Sequence, residues 1–231
     1  MDGHRFIDQA FANGAIAAIT DRPIAQPHVL VEDTTKALHA LAAHARDRAQ
    51  AVRIGVTGSV GQTGVKEAIF AALDRASRGA SHRSVRSYNN HVGVPLSLAR
   101  MPARSRFGVF EMGMNHSGEI RPLTRMVNPH TAIVTRIAPA HMEFFSSLEA
   151  IADAKAEIFE GLTDGGVAIL NADDPLSRRL AKAIPEKIKI YYRNYFANLH
   201  VGFQILTSLL VVFLIYQIAS TSLQPFIYFQ F

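Results

Sequence analysis

The residues most able to do chemistry lie in Ile54–Ile69, IGVTGSVGQTGVKEAI, a strand, a glycine-rich turn and the start of a helix. Gly58 and Gly61 allow a tight turn whose successive N–H groups point inward, and a helix opening at Thr63 brings its positive dipole end to the same spot. That is a cradle for phosphate, with Ser59 and Val60 inside the turn and the Thr63 hydroxyl placed to reach a magnesium ion. The strict pattern G-x-x-x-x-G-K-[ST] fails twice, at Val56 and at Gln62, where a lysine is expected. A plain strand-to-helix turn with glycine at positive φ is the competing reading of the turn taken alone.

Further candidates follow short apolar runs. Glu111 ends one run and is followed by Asn115, His116 and Glu119; His141 follows another after Ala138-Pro139-Ala140; Asn171, Asp173 and Asp174 follow a third. A carboxylate and an imidazole near a phosphate cradle suit Mg²⁺, which takes few protein ligands beside phosphate oxygens and water. Each has an ordinary alternative. His141 can be a hydrogen-bonded packing residue, Asn171 can open a turn, and Asn89-Asn90 can be a polar loop. By residue type alone, Lys155 in Ala154-Lys155-Ala156-Glu157 reads as an exposed helical lysine paired with a glutamate.

These groups need a scaffold, and the pattern supplies one. Asp33–Gln50 is expected as a helix capped by Asp33 or Thr34, with Ala37, Leu38, Leu41, Ala42 and Ala45 as its apolar stripe. Val52, Ile54 and Val56 alternate as a strand. Thr63–Ala76 continues as a helix with Val65, Ala68, Ile69 and Leu73 inward. Phe107–Glu111, Thr131–Thr135 and Gly166–Leu170 read as strands, and Ser147–Leu162 as a helix. Such alternation predicts an α/β fold with a doubly wound, mostly parallel sheet, whose ligands sit at the carboxyl ends of the strands.

Composition narrows the classes. The chain has 231 residues, 48% of them hydrophobic, a formal charge of +5 and no cysteine. It can bury a core and makes no disulfide, which suits the cytosol. Arginines 75, 78, 83, 86, 100, 104 and 106 form the densest basic stretch, with few aromatics between them, so no nucleic-acid partner is expected. From Asn194 onward no Asp, Glu, Lys or Arg occurs. Residues 201–220 are long and apolar enough for a membrane-spanning helix, with the cations before it predicting a cytoplasmic N-terminal part. That tail reads either as foreign sequence or as an anchor.

Six strings in order resemble the Mur ligases, ATP-dependent amide-forming enzymes of peptidoglycan precursor synthesis: DGHRFIDQAFANGA, GVTGSVGQTGVKEA, SYNNHVGVPLSLARMP, EMGMNHSGEI, APAHMEFFSSLEAIADAKAEIFEGL and GVAILNADDP. They cover residues 2 to about 175 and, with the DGHRF and NNHVGVP strings, resemble most the branch that joins D-Ala-D-Ala to UDP-N-acetylmuramoyl-tripeptide. The resemblance implies ATP and Mg²⁺ as cofactors and a P-loop type of sheet. Gly58, Ser59, Val60, Gly61, Gln62 and Thr63 then wrap the phosphates. Thr63, Glu111, His141 and a carbamylated Lys155 hold metal, and Lys155, Asn115 and His116 lie at the acyl-phosphate site. Asn171 reads adenine, and Asn89 and Asn90 meet the UDP-linked substrate.

The implied organisation is a partial N-terminal substrate domain over residues 1–48, a central ATP-binding domain over 49–190 and an apolar tail over 191–231. Three departures from the family predict impaired catalysis: Gln62, an N-terminal domain entered partway, and an apolar tail in place of the C-terminal domain. A non-catalytic, membrane-tethered nucleotide-binding module is the alternative expectation.

Overall fold

The computed structural model describes residues 2–140 and 142–192. The described residues up to Tyr191 belong to one compact unit. The expected apolar helix and membrane contact over 201–220 lie outside the described residues. Among the described residues, no helix is long and apolar enough to cross a membrane.

This unit opens with a short 3-10 turn, Gly3–Phe6, and helix α1, Ile7–Ala12. Strands β1 (Ala18–Thr20) and β2 (His28–Leu30) pair in parallel as a small sheet of their own. Helix α2, Thr34–Ala49, follows. Asp33 caps it, its Oδ1 accepting from the N–H groups of Thr35 and Lys36 at 2.7 and 3.0 Å. Its buried face is Ala42, Ala45 and Ala49, while Leu41 is 47% exposed, so the stripe lies further along the helix than the leucines suggest.

Six strands build the main sheet in the order β4-β5-β3-β6-β7-β8: β3 Val52–Thr57, β4 Ser81–Arg83, β5 Phe107–Glu111, β6 Thr131–Val134, β7 Val167–Leu170 and β8 Lys189–Tyr192. The pairings β3 with β5, β3 with β6, β4 with β5 and β6 with β7 are all parallel. The connecting helices are α3 Gln62–Ser77, α4 Gly93–Ala99, α5 Ile120–Val127, α6 Leu148–Ala156 and α7 Ser177–Lys182. A 3-10 turn, Glu157–Gly161, completes the stretch expected as one helix from Ser147 to Leu162.

Helices cover both faces, and the core is correspondingly split. Ile54, Val56 and Val109 pack with Val65, Ile69, Phe70, Leu73 and Ile133, mostly from α3. The larger cluster lies on the other face and includes Leu98, Phe110, Leu123, Ile151, Phe159 and Leu170. Fully burying side chains of this size stabilises by about 1.5–3 kcal/mol each. Because β3 is central, it is buried continuously from Arg53 to Thr57 instead of alternating, as strands covered on both faces are. Arg53 accordingly sends its guanidinium to the carbonyls of Asn128 and Ala51, both at 3.0 Å.

Register brings the strand ends level. Thr57 sits beside Val134, Val134 beside Leu170, and Val56 beside Glu111. The segments that leave β3, β5, β6 and β7 therefore depart from one edge of the sheet, as a parallel sheet requires.

Candidate active site

The turn after β3 is held in shape by the end of β6. Ser59 N–H donates to the Arg136 carbonyl at 2.7 Å, and the Thr135 hydroxyl donates to the Val60 carbonyl at 2.7 Å. Gly61 adopts φ +83°, a conformation that only glycine takes without strain, and precedes the first residue of α3. The turn thereby exposes its remaining N–H groups at a helix N-terminus, the arrangement that binds anions.

Among the described residues, several polar side chains around this turn find no partner. The hydroxyls of Thr57 and Ser59 and the Gln62 side-chain oxygen are buried without a hydrogen bond. Buried polar atoms are normally paired, so three orphans together mark a place built for a polar ligand. Gly58, Ser59, Gln62, Asn89, Gly113, Met114, Asn115 and Lys155 surround a cavity of about 140 Å³.

Glu111, at the end of β5, is the hub beside it. Its side chain is 0% exposed, yet both carboxylate oxygens have polar partners. The Thr63 hydroxyl donates to one carboxylate oxygen at 3.0 Å, and the Asn89 amide donates to the other at 2.9 Å. Lys66 Nζ lies 3.4 Å from the first oxygen and also donates to the Arg86 carbonyl. Lys66 stands one turn beyond Thr63 on α3, and is fully buried. Its sequence signal was the spacing of three from Thr63, which puts both on one helical face.

Lys155, in the last turn of α6, is 2% exposed and not a surface lysine. Burial alone pushes its ammonium down to about 8. Two residues on, Glu157 is also buried and accepts from Ser117 Oγ at 3.3 Å, Gly118 N–H at 2.6 Å and Arg121 N–H at 3.0 Å. It thus holds the Asn115–Glu119 loop over the site, a role no sequence motif announced.

A second cavity, of about 350 Å³, adjoins the first. Asn89, Asn90, His91, Asn115, Glu119 and Leu123 are among its lining residues. Asn90 braces the turn leading into α4, its side-chain oxygen accepting from Val92 and Gly93 N–H at 3.1 and 2.9 Å.

The remaining expected residues, where described, do not point their side chains into the cradle's cavity. Val60 is 58% exposed and contributes its carbonyl. His116 is exposed, bonded to Glu119 at 3.1 Å, with its ring against Phe144. Asn171 turns its side-chain oxygen back to the Asp173 N–H at 3.1 Å, an ordinary Asx turn. The buried Asp174 next to it accepts from Ile137 N–H at 2.6 Å and so ties the ends of β6 and β7 together. His141 lies outside the described residues. Among the described residues, no group of three or more His, Cys, Asp or Glu is gathered to hold a metal. The fit for Mg²⁺ rests instead on the Thr63 hydroxyl and the Glu111 carboxylate, an oxygen pair of the kind that ion takes beside phosphate and water.

A parallel α/β sheet with a phosphate cradle, a buried acid at the next strand end and a buried lysine behind them is the frame of one family. The chain belongs to the Mur ligases: the Mur ligase middle domain matches residues 56–205. Among similar proteins, the UDP-N-acetylmuramoyl-tripeptide–D-alanyl-D-alanine ligase of Haemophilus influenzae is 41% identical over 178 residues, 75% of this chain and 39% of that protein. Crystal structure I of MurF from Acinetobacter baumannii superposes with a TM-score of 0.71 at 35% identity, covering 83% of this chain and 42% of that one. MurF from Thermotoga maritima in complex with ADP gives a TM-score of 0.68 at 31% identity, covering 83% and 44%. The chain thus spans about two fifths of the length of these relatives.

Proposed function

We propose that residues 49–190 form the ATP-binding core of a MurF-type ligase, behind a partial N-terminal domain over 1–48, in which the cradle after β3 holds the phosphates of ATP. The observation that carries this is the Thr63–Glu111–Asn89 chain of hydrogen bonds at the mouth of the cradle. Because Thr63 spends its proton on Glu111, its lone pairs stay free to face a cation.

In this reading the UDP-N-acetylmuramoyl-tripeptide occupies the larger cavity, beside Asn89 and Asn90, and presents its terminal carboxylate to the γ-phosphate. Turn N–H groups stabilise the charge that spreads over the phosphate oxygens as an acyl phosphate forms. Asn115, on the wall shared by both cavities, orients the carboxylate, with His116 at the rim of the loop. The amine of D-Ala-D-Ala then attacks the acyl carbon, an amide bond forms and phosphate leaves. Thr63 and Glu111 would hold Mg²⁺, which would supply neutralisation of the phosphate oxygens. The Asn171 turn is the adenine end, and His141 completes the metal set.

Gln62 weakens this machine. A missing charged partner costs about 1.5–3 kcal/mol of binding, and a missing transition-state stabiliser roughly 10²–10³ in rate. The chain is therefore an impaired ligase that retains nucleotide binding. The test is calorimetry of Mg-ADP on the full chain. Micromolar binding that Glu111→Ala weakens at least tenfold supports the reading. No heat at millimolar ADP would sink it.

A further inference from the structure

Between Asp2 and Thr34 lies a cavity of about 350 Å³ that shares no residue with the two cavities at the cradle. Asp2, His4, Ile7, Ile19, Thr20 and Asp21 are among its lining residues. Two of its polar atoms are orphans among the described residues. Thr20, the last residue of β1, is 2% exposed, and its hydroxyl has no hydrogen-bond partner. Nor has His4 Nε2, which stands 3.2 Å from an Asp21 carboxylate oxygen but off line for a hydrogen bond. Buried polar atoms are normally paired, so both point to a polar ligand in this cavity.

The sense of these groups selects the ligand. The Asp2 carboxylate can only accept, so the His4 ring carries its hydrogen on Nδ1, 2.8 Å from Asp2 Oδ1. In the neutral ring Nε2 is then a lone-pair acceptor. It meets a second acceptor in the Asp21 carboxylate and a third in the Thr20 oxygen. Arg22 is paired with Asp2, and Asp21 has no lysine or arginine partner among the described residues. A phosphate would be repelled by this lining. A metal is poorly served: among the described residues no three His, Cys, Asp or Glu gather to hold one, and Asp2 is spent on the far side of the imidazole. Ile7 and Ile19 offer apolar wall to a carbon body, as small-molecule sites do. We infer that this cavity binds a primary ammonium carried on a short carbon chain, its hydrogens shared among His4 Nε2, the Asp21 carboxylate and the Thr20 hydroxyl. An ammonium brings three donors to these three acceptors.

This inference does not rest on the nucleotide reading, and binding by the full chain tests it. The chain is titrated with n-butylamine, charged at neutral pH, and with n-butanol, its uncharged counterpart, by ligand-observed NMR. The native protein, Asp21→Asn and Thr20→Val are compared, and thermal unfolding confirms that each is folded. n-Butylamine is expected to bind the native chain about 10-fold or more tightly than n-butanol, the margin of a charge-assisted contact over a neutral one. Asp21→Asn should erase that preference, and Thr20→Val should weaken n-butylamine roughly 3- to 10-fold, the loss of one hydrogen bond. Equal affinity of the native chain for the two probes overturns the inference, as does no binding of either. Binding of n-butylamine that neither substitution changes places it elsewhere and also overturns it. Zn²⁺ that excludes n-butylamine and is lost in Asp21→Asn would assign the acceptors to a metal and overturn it too.

Discussion

A Cβ on residue 58 would stand 1.9 Å from the Thr135 hydroxyl oxygen. The turn after β3 and the end of β6 are thus in contact at the one point where only a hydrogen fits. That same hydroxyl bonds the Val60 carbonyl, so the contact and the shape of the cradle are one feature.

Gly58→Ala should therefore destabilise the protein by about 1–3 kcal/mol, the usual cost of overpacking. Thr135→Ala removes the clashing atom and also the hydrogen bond to Val60, costing about 1 kcal/mol alone. The double substitution should cost clearly less than the sum of the two, since each relieves what the other disturbs. Urea unfolding of the four proteins measures this, and simple additivity would contradict it.

Glu111 and Lys66 form a buried pair whose members depend on each other. Glu111→Ala leaves the fully buried ammonium with only the partly exposed Glu67 carboxylate, 3.2 Å away, and should cost about 3 kcal/mol. Glu111→Leu with Lys66→Met should recover most of that stability while abolishing Mg-ADP binding. Denaturation and calorimetry read the two effects separately. A double variant as unstable as Glu111→Ala would show that the pair itself stabilises the fold.

The pH dependence of Lys155 follows from its direction of shift. Its ammonium is pushed down to about 8 from 10.5 by burial, so between those values the unfolded chain binds a proton that the folded one does not. Stability should rise with pH across that window, and the penalty for burying the charge is fully present below about 8. Lys155→Met removes the penalty and should stabilise the ligand-free protein by on the order of 2–3 kcal/mol at pH 7. The gain should vanish near pH 10.5, and a gain that persists there would point to packing.

Glu157 accepts from a hydroxyl and two N–H groups of the segment Ser117–Arg121. Glu157→Leu orphans those donors and should cost about 2–4 kcal/mol, with the largest rise in amide exchange at residues 117–121. Glu157→Gln keeps an acceptor and should lose about half as much. Equal exchange rates in all three proteins would remove Glu157 from the support of that loop.

The long elements were legible because they carry full periods. Helices α2 and α3 and strands β3, β5, β6 and β7 fall within a residue or two of their expected bounds, and the parallel, doubly wound arrangement follows from their alternation. Three-residue strands such as β1, β2 and β4 hold too little pattern to be read, and the six- to eight-residue helices α1, α4, α5 and α7 fall below two or three turns. At the site, the cradle and Glu111 were legible as strand-end chemistry. Lys155, by residue type alone, reads as a surface lysine and Lys66 carries no motif signal of its own, because burial of a lysine depends on neighbours distant in sequence, such as Glu111 beside Lys66. Asn171 shows the reverse: its side chain does what its local Asx pattern says.

The strand order has a consequence for synthesis. β3 is the first strand of the main sheet to be made, and both its neighbours, β5 and β6, come from residues 107–134. β4 is made earlier but pairs only with β5, so it too must wait. The sheet therefore cannot begin until residue 111 is free of the ribosome, when β5 can join β3 to β4, and the other side of β3 stays open until β6 follows at residue 134. Until β5 arrives, the apolar β3 is an unpaired edge, the condition in which chains aggregate or recruit chaperones.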